Sequence, residues 1–137
     1  MAELLTTERM EIEMTATCVG CGYRAWDDEG FLDLPANKAT LSITFLPEPN
    51  NPHDPNAIKV KFRGEHCGYV ASEFLCDFHQ FHEAFELMKP YLSEYGGFGV
   101  EVLDVKTRFN GAVNCFTFRV FAQADIPTDV AEAIDFL

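Results

Sequence analysis

Pro47-Glu-Pro-Asn-Asn-Pro-His-Asp-Pro-Asn56 runs directly into Ala57-Ile-Lys-Val-Lys-Phe-Arg63. Four prolines and three asparagines in ten residues exclude a helix and a central strand. Four fixed φ angles make the loop stiffer than its length suggests. The alternation that follows is clean: Ile58, Val60 and Phe62 face a core, and Lys59, Lys61 and Arg63 face out. Gly64-Glu65 reads as a turn, and Cys67-Gly-Tyr-Val70 as a short return strand.

Upstream, Met10 to Cys18 alternates and reads as a half-buried strand, broken by Gly20-Cys21-Gly22. Residues 24–37 are loop-like. Ala39 to Leu46 reads as one strand with Leu41, Ile43 and Phe45 on the core face. Downstream, Ser72 is a candidate N-cap for a helix carrying Phe74, Leu75, Phe78, Phe81 (or His82) and Phe85 until Pro90 stops it. Gly99–Phe109 and Ala112–Ala122 flank Asn110-Gly111, a strong signal for a two-residue type I′ hairpin. Thr128 would cap a last short helix with Val130, Ile134 and Leu137 on one side. Six strands, one helix between the fourth and fifth, and a helix at the end give a mainly β chain. A small OB/SH3-like barrel is the expected architecture. The expected division is a flexible N-terminus over 1–9, the barrel over 10–124 and an acidic helix or tail over 125–137.

With 137 residues the chain is one domain's worth, and 47 % hydrophobic against 23 % charged residues is ordinary globular composition. The net charge of −12 speaks against strong non-specific nucleic-acid binding, which depends on Lys and Arg at phosphates. The acids are unevenly spread. Residues 1–33 hold eight acids and two bases, whereas Lys38, Lys59, Lys61 and Arg63 outnumber Glu48, Asp54 and Glu65 in the middle. An anion-binding face is therefore expected there. The N-terminus lacks a signal-peptide pattern and no run approaches a membrane span, so no membrane association is expected. Five cysteines without framework spacing suggest reduced thiols and a cytoplasmic setting.

The loop, the basic strand and Gly68-Tyr-Val70 resemble the HIRAN family, whose pattern is close to R-E-P-x-N-P-Y-D-x-N-A-I-x-V followed by G-x-x-[IV]-G-[YH]-[VIL]. Glu48 to Ile58 fit it with one substitution, His53 where an aromatic is usual. Gly20-Cys-Gly-Tyr23 is similar to the family's G-x-x-Y element. Two departures stand out: Leu46 and Pro47 where arginine usually precedes the Glu-Pro, and Gly22 where a basic residue often stands. The resemblance implies a modified six-stranded barrel that binds a single-stranded DNA 3′ end, serving DNA repair or processing. It implies a hydroxyl contact for Asp54, and stacking or phosphate contacts for Tyr23, His53 and Tyr69. Asn56, Lys59, Lys61 and Arg63 complete the candidate nucleic-acid-binding set.

The same residues also read without a ligand. Asp54 and Asn56 suit Asx-turns, Tyr23 and Tyr69 suit core rings with one wet edge, and Lys-x-Lys-x-Arg is an ordinary solvent face. A protein partner gripped by the same groove is the alternative function. Cys18-Val-Gly-Cys21 is a C-x-x-C, but a zinc site needs a second pair. Cys67, Cys76 and His79-x-x-His82 are the candidates, and the strand and helix placement gives no reason for them to converge. No metal, cofactor or enzymatic motif is expected.

Overall fold

A computed structural model describes residues 6–21, 39–40, 42–92, 97–107 and 113–137. The strands are β1 (Thr7–Val19), β2 (Ala39–Thr40), β3 (Ile43–Pro47), β4 (Ile58–Phe62), β5 (Glu65–Val70), β6 (Phe98–Thr107) and β7 (Val113–Pro127). The helices are α1 (Leu75–Met88), between β5 and β6, and α2 (Thr128–Asp135) at the end. One antiparallel sheet takes the order β2-β6-β7-β1-β5-β4-β3.

The single strand expected over Ala39–Leu46 is two strands, which pair at opposite edges of the sheet: β2 with β6, and β3 with β4. No ladder joins β2 to β3, so the described sheet is open where a closed barrel was expected. Only Leu41 and Ser42 separate them in the chain, so the two edges approach within about 11 Å there. The sheet is therefore strongly curled.

The basic strand lies as its pattern requires. Ile58, Val60 and Phe62 are buried with Ile43, and Phe45 packs half-buried beside them. Lys59 and Lys61 are half-buried on the other face, and Arg63 is exposed. A one-residue slip would bury three cations, which fixes the register. Leu41 lies outside the described residues. Phe62 pairs with Glu65, so the turn is Arg63-Gly64, one residue earlier than expected. Both have positive φ, 52° and 83°, the mark of a type I′ hairpin. In β5 an extra residue, Cys67, bulges between the partners of Val60 and Lys61, and its thiol donates to the Val60 carbonyl at 3.3 Å.

β1 and β7 form the long ladder, from Thr7–Pro127 to Cys18–Phe116. β6 and β7 pair as antiparallel neighbours with irregularities between Val102 and Asp104 and between Lys106 and Thr107, and Thr107 stands opposite Val113 where a two-residue turn would set it opposite Asn114; Asn110-Gly111 itself lies outside the described residues. α1 closes the inner face with Leu75, Phe78, Phe81, Ala84 and Met88. Phe45 lies 4.8 Å from Phe78 and 5.1 Å from Phe118, ring centre to ring centre. Each such ring removed from water contributes about 1.5–3 kcal/mol, so the phenylalanine excess goes mainly into this core. A second cluster of small residues, Ala122, Ala124 and Ala131 with Ile126 and Ile134, seats α2 on the end of β7.

Two expected caps are replaced. Ser72 opens a 3-10 turn over Ser72–Phe74 and makes no side-chain cap bond. Thr128 is the first residue of α2, after Pro127, and its hydroxyl reaches Thr6 rather than its own helix. Pro90 falls in a 3-10 turn that follows the last α-helical residue, Met88.

Candidate functional site

The proline-asparagine loop is closed at its base by the Glu48 N–H donating to the Ala57 carbonyl at 2.9 Å. Inside it, Asn51 Oδ1 accepts the backbone N–H of His53 at 2.9 Å and of Asp54 at 3.1 Å. Asp54 Oδ1 in turn accepts the Asn56 N–H at 2.8 Å, so the Asx-turn expected of these residues is present. The second carboxylate oxygen of Asp54 has no partner among the described residues. His79, on α1, donates from Nε2 to the Asn56 carbonyl at 2.8 Å and ties the loop to the helix.

Glu48 organises the loop from below. Its carboxylate lies 3.0 Å from Lys59 Nζ and accepts from Asn51 Nδ2 at 3.1 Å. Lys59, then Asn51, then a hydrogen bond from Tyr69 pull its pKa down to about 2. Tyr69 thus stands beside the same carboxylate. Along its side, His66 meets it edge-on at 4.9 Å between ring centres. The His66 Nε2–H donates to the Gly68 carbonyl at 3.1 Å.

Two adjoining clefts open over this framework. One, of 580 Å³, lies between the loop from Pro47 to His53 and the Tyr69 ring. The other, of 340 Å³, is bounded by His53, Asp54, Tyr69, Ser72 and Leu75. His53 and Tyr69 line both. A stiff loop thus presents a carboxylate oxygen, an imidazole and a phenol ring to one space, which suits a ligand with both a flat face and a hydroxyl donor.

Of the residues singled out in the sequence, His53, Asp54 and Tyr69 come together here. Asn56 is exposed at the foot of the loop, and its backbone is taken up by Asp54 and His79. Lys59 borders the site but is paired with Glu48. Lys61 stands on the same outer face, opposite Thr44 on β3 and His66 on β5. Arg63 is at the hairpin tip, roughly 13 Å along the strand from Lys59, with its guanidinium 5.0 Å from the centre of the Phe62 ring. Tyr23 lies outside the described residues. The sequence reading passed over Glu48, although the residue stands in the motif, because a lone acid in a proline loop gives no sign of its partners. His79 stood in the sequence only as a candidate zinc ligand, since a helical histidine does not announce a contact 23 positions away.

Three cysteines do converge, contrary to expectation. Cys18, Cys21 and Cys67 are wholly buried, with the Cys18 and Cys21 sulfurs 3.7 Å apart. The reason is the β1–β5 pairing of Cys18 with Val70 and Val19 with Tyr69, which brings the Cys67 bulge against the end of β1. Hydrogen bonds to Cys21 and Cys67, together with burial, push the Cys18 thiol far up, so it is a neutral thiol. Among the described residues no group of three or more His, Cys, Asp or Glu is arranged to hold a metal ion. Cys76 is exposed on α1, and His82 lies 3.7 Å from Glu86.

No family model and no curated protein matches the sequence. Among solved structures, a protein from Lactobacillus plantarum is 17 % identical, with a TM-score of 0.48 over 84 % of this chain and 99 % of its own. The HIRAN domain of human HLTF is 18 % identical, with a TM-score of 0.46 over 89 % of this chain and 82 % of its own.

Proposed function

We propose that this domain acts by binding rather than catalysis, and that it takes the 3′ end of a single-stranded DNA in the cleft between the proline-asparagine loop and Tyr69, in DNA repair or processing. The observation that carries this is the meeting of His53, Asp54 and Tyr69 around one space on a loop that six local hydrogen bonds hold in shape. The resemblance of Glu48–Ile58 to the HIRAN pattern supports the same assignment. The open oxygen of Asp54 accepts the terminal hydroxyl, and the rings of His53 and Tyr69 take the last bases. Lys61 and Arg63 follow the backbone, with Lys59 held back by Glu48.

The test is a pair of labelled single strands that differ only at the 3′ terminus, hydroxyl against phosphate. A dianion beside Asp54 replaces a hydrogen bond with like-charge repulsion. Loss of a charge-assisted bond alone costs about 1.5–3 kcal/mol, or about ten- to a hundredfold in affinity. Asp54→Ala should weaken the hydroxyl end and narrow the difference. If neither strand binds the folded protein at low salt, the end-binding assignment fails, and a protein partner in the same cleft takes its place.

A further inference from the structure

Among the described residues, strand β1 is paired on one side over most of its length. Its ladder with β7 runs from Thr7 to Cys18, whereas β5 meets it at Cys18 and Val19 alone. The backbone groups of successive strand residues point to alternate sides. The Thr17 carbonyl accepts from the Ala71 N–H at 2.8 Å, on the side away from β7. By that alternation the N–H and C=O groups of Glu11, Glu13 and Thr15 aim the same way, and among the described residues no strand takes them up. Beside this edge runs α1, and between them lies a cleft of 690 Å³, within the range of ligand sites. Ile12, Met14, Phe81, Ala84, Ile134 and Leu137 supply its apolar lining.

The charge around the cleft is one-sided. Glu11 and Glu13 stand on the strand and Asp77 on the helix. Arg9 is shared between Glu11 at 3.9 Å and Asp125 at 3.6 Å. Arg119 is bonded to Glu13 and reaches Glu101 at 3.4 Å. Two arginines among five carboxylates leave the edge negative. We propose that this cleft is a second binding site, separate from the Asp54 cleft, and that it takes an extended cationic peptide added to β1 as a further strand. The pleat dictates the peptide's pattern. Alternate side chains are apolar, directed at Ile12, Met14 and Phe81, and the others are lysine or arginine over Glu11 and Glu13. A second copy of this chain is the poorer occupant, because its β1 would set the same carboxylates against each other.

The probe is a fluorescein-labelled, end-blocked peptide of alternating lysine and valine, titrated into the full chain. Saturable binding is expected. Backbone amide hydrogens of Glu11, Glu13 and Thr15 should exchange at least about tenfold more slowly in the complex, since each gains a partner worth about a factor of ten. Replacing the lysines by glutamates should abolish binding. Methylating alternate peptide nitrogens should weaken it by at least about tenfold, and leaves the protein untouched. Thr15→Pro should do the same from the protein side, because the lost N–H belongs to the open edge and not to the β7 ladder. Equal binding of the glutamate or methylated peptide, or no protection of the three amides, overturns the proposal. A dimer that protects them without peptide overturns the choice of occupant.

Discussion

Glu48 Oε2 lies 3.0 Å from Lys59 Nζ, so the acid at the foot of the loop neutralises the first lysine of the strand that follows it. Both side chains are only about a fifth exposed, at 22 % and 23 %. The same carboxylate accepts from Asn51 and lies beside Tyr69, and so stands between both walls of the cleft.

That arrangement has a pH signature. The folded pKa of Glu48 is about 2 against an ordinary 4.5, so the folded state favours the ionised form. The stabilisation is complete above the unfolded value and is lost as pH falls from about 4.5 towards about 2. Urea midpoints measured from about pH 6 downward should fall through that window in the wild type. Glu48→Gln should start lower and show a shallower fall there. Parallel curves for the two proteins would remove Glu48 from its place at the loop's base.

Glu48→Gln also releases Lys59 towards the outer face. On the single-strand assignment, this variant should bind DNA more tightly than wild type at low salt. Its log-affinity against log-salt line should steepen by about 0.7, the increment for one phosphate contact on a single strand. Weaker binding with an unchanged slope would mean that Glu48 acts only through loop shape.

Gly68 is set by space rather than by φ. A Cβ there would stand 2.5 Å from the Val19 carbonyl oxygen and 2.6 Å from Cys18 Sγ, and the first of these is backbone in the β1–β5 ladder. Gly68→Ala should therefore destabilise by about 1–3 kcal/mol, as overpacking of a tight core does. The check is a lowered denaturant midpoint with an unchanged m-value. A midpoint within experimental error of wild type would show that the seam between Cys18 and Gly68 is looser than the structure has it.

How far the sequence spoke depended on the range of the interaction. The alternation of Ile58, Val60 and Phe62 with Lys59, Lys61 and Arg63 is a period-2 pattern that one face of a sheet enforces, and it was legible. So were α1, with Phe78, Phe81 and Phe85 at helical spacing, and the pairing of β6 with β7. The break at Leu41-Ser42 was not, because Ala39–Leu46 alternates as a single strand would and only the curl of the whole sheet divides it. In the site, the stiff loop and the Asx-turn at Asp54 are local and were readable. The Glu48–Lys59 pair, the contact of His79 with Asn56 and the meeting of Cys67 with Cys18 join residues 11 to 49 positions apart and depend on ladders that no short motif encodes.

The three buried thiols give a direct test of that long-range packing. Alkylation requires a thiolate and access to it. Cys18, Cys21 and Cys67 lack the access, all three being at 0 % exposure, and hydrogen bonds to Cys21 and Cys67 together with burial push the Cys18 thiol well above its ordinary value. Cys76 is exposed and Cys115 half-buried. Iodoacetamide at about pH 8 should therefore modify native protein at Cys76 first and Cys115 more slowly, as read by peptide mass mapping. Cys18, Cys21 and Cys67 should be modified together, because they share one seam between β1 and β5, and only as fast as the domain opens. Added urea below the midpoint should raise all three rates in parallel, in step with the global unfolding equilibrium. Modification of Cys21 at the rate of Cys76 in native protein would refute the closed seam, and with it the fixed position of Tyr69 opposite Val19.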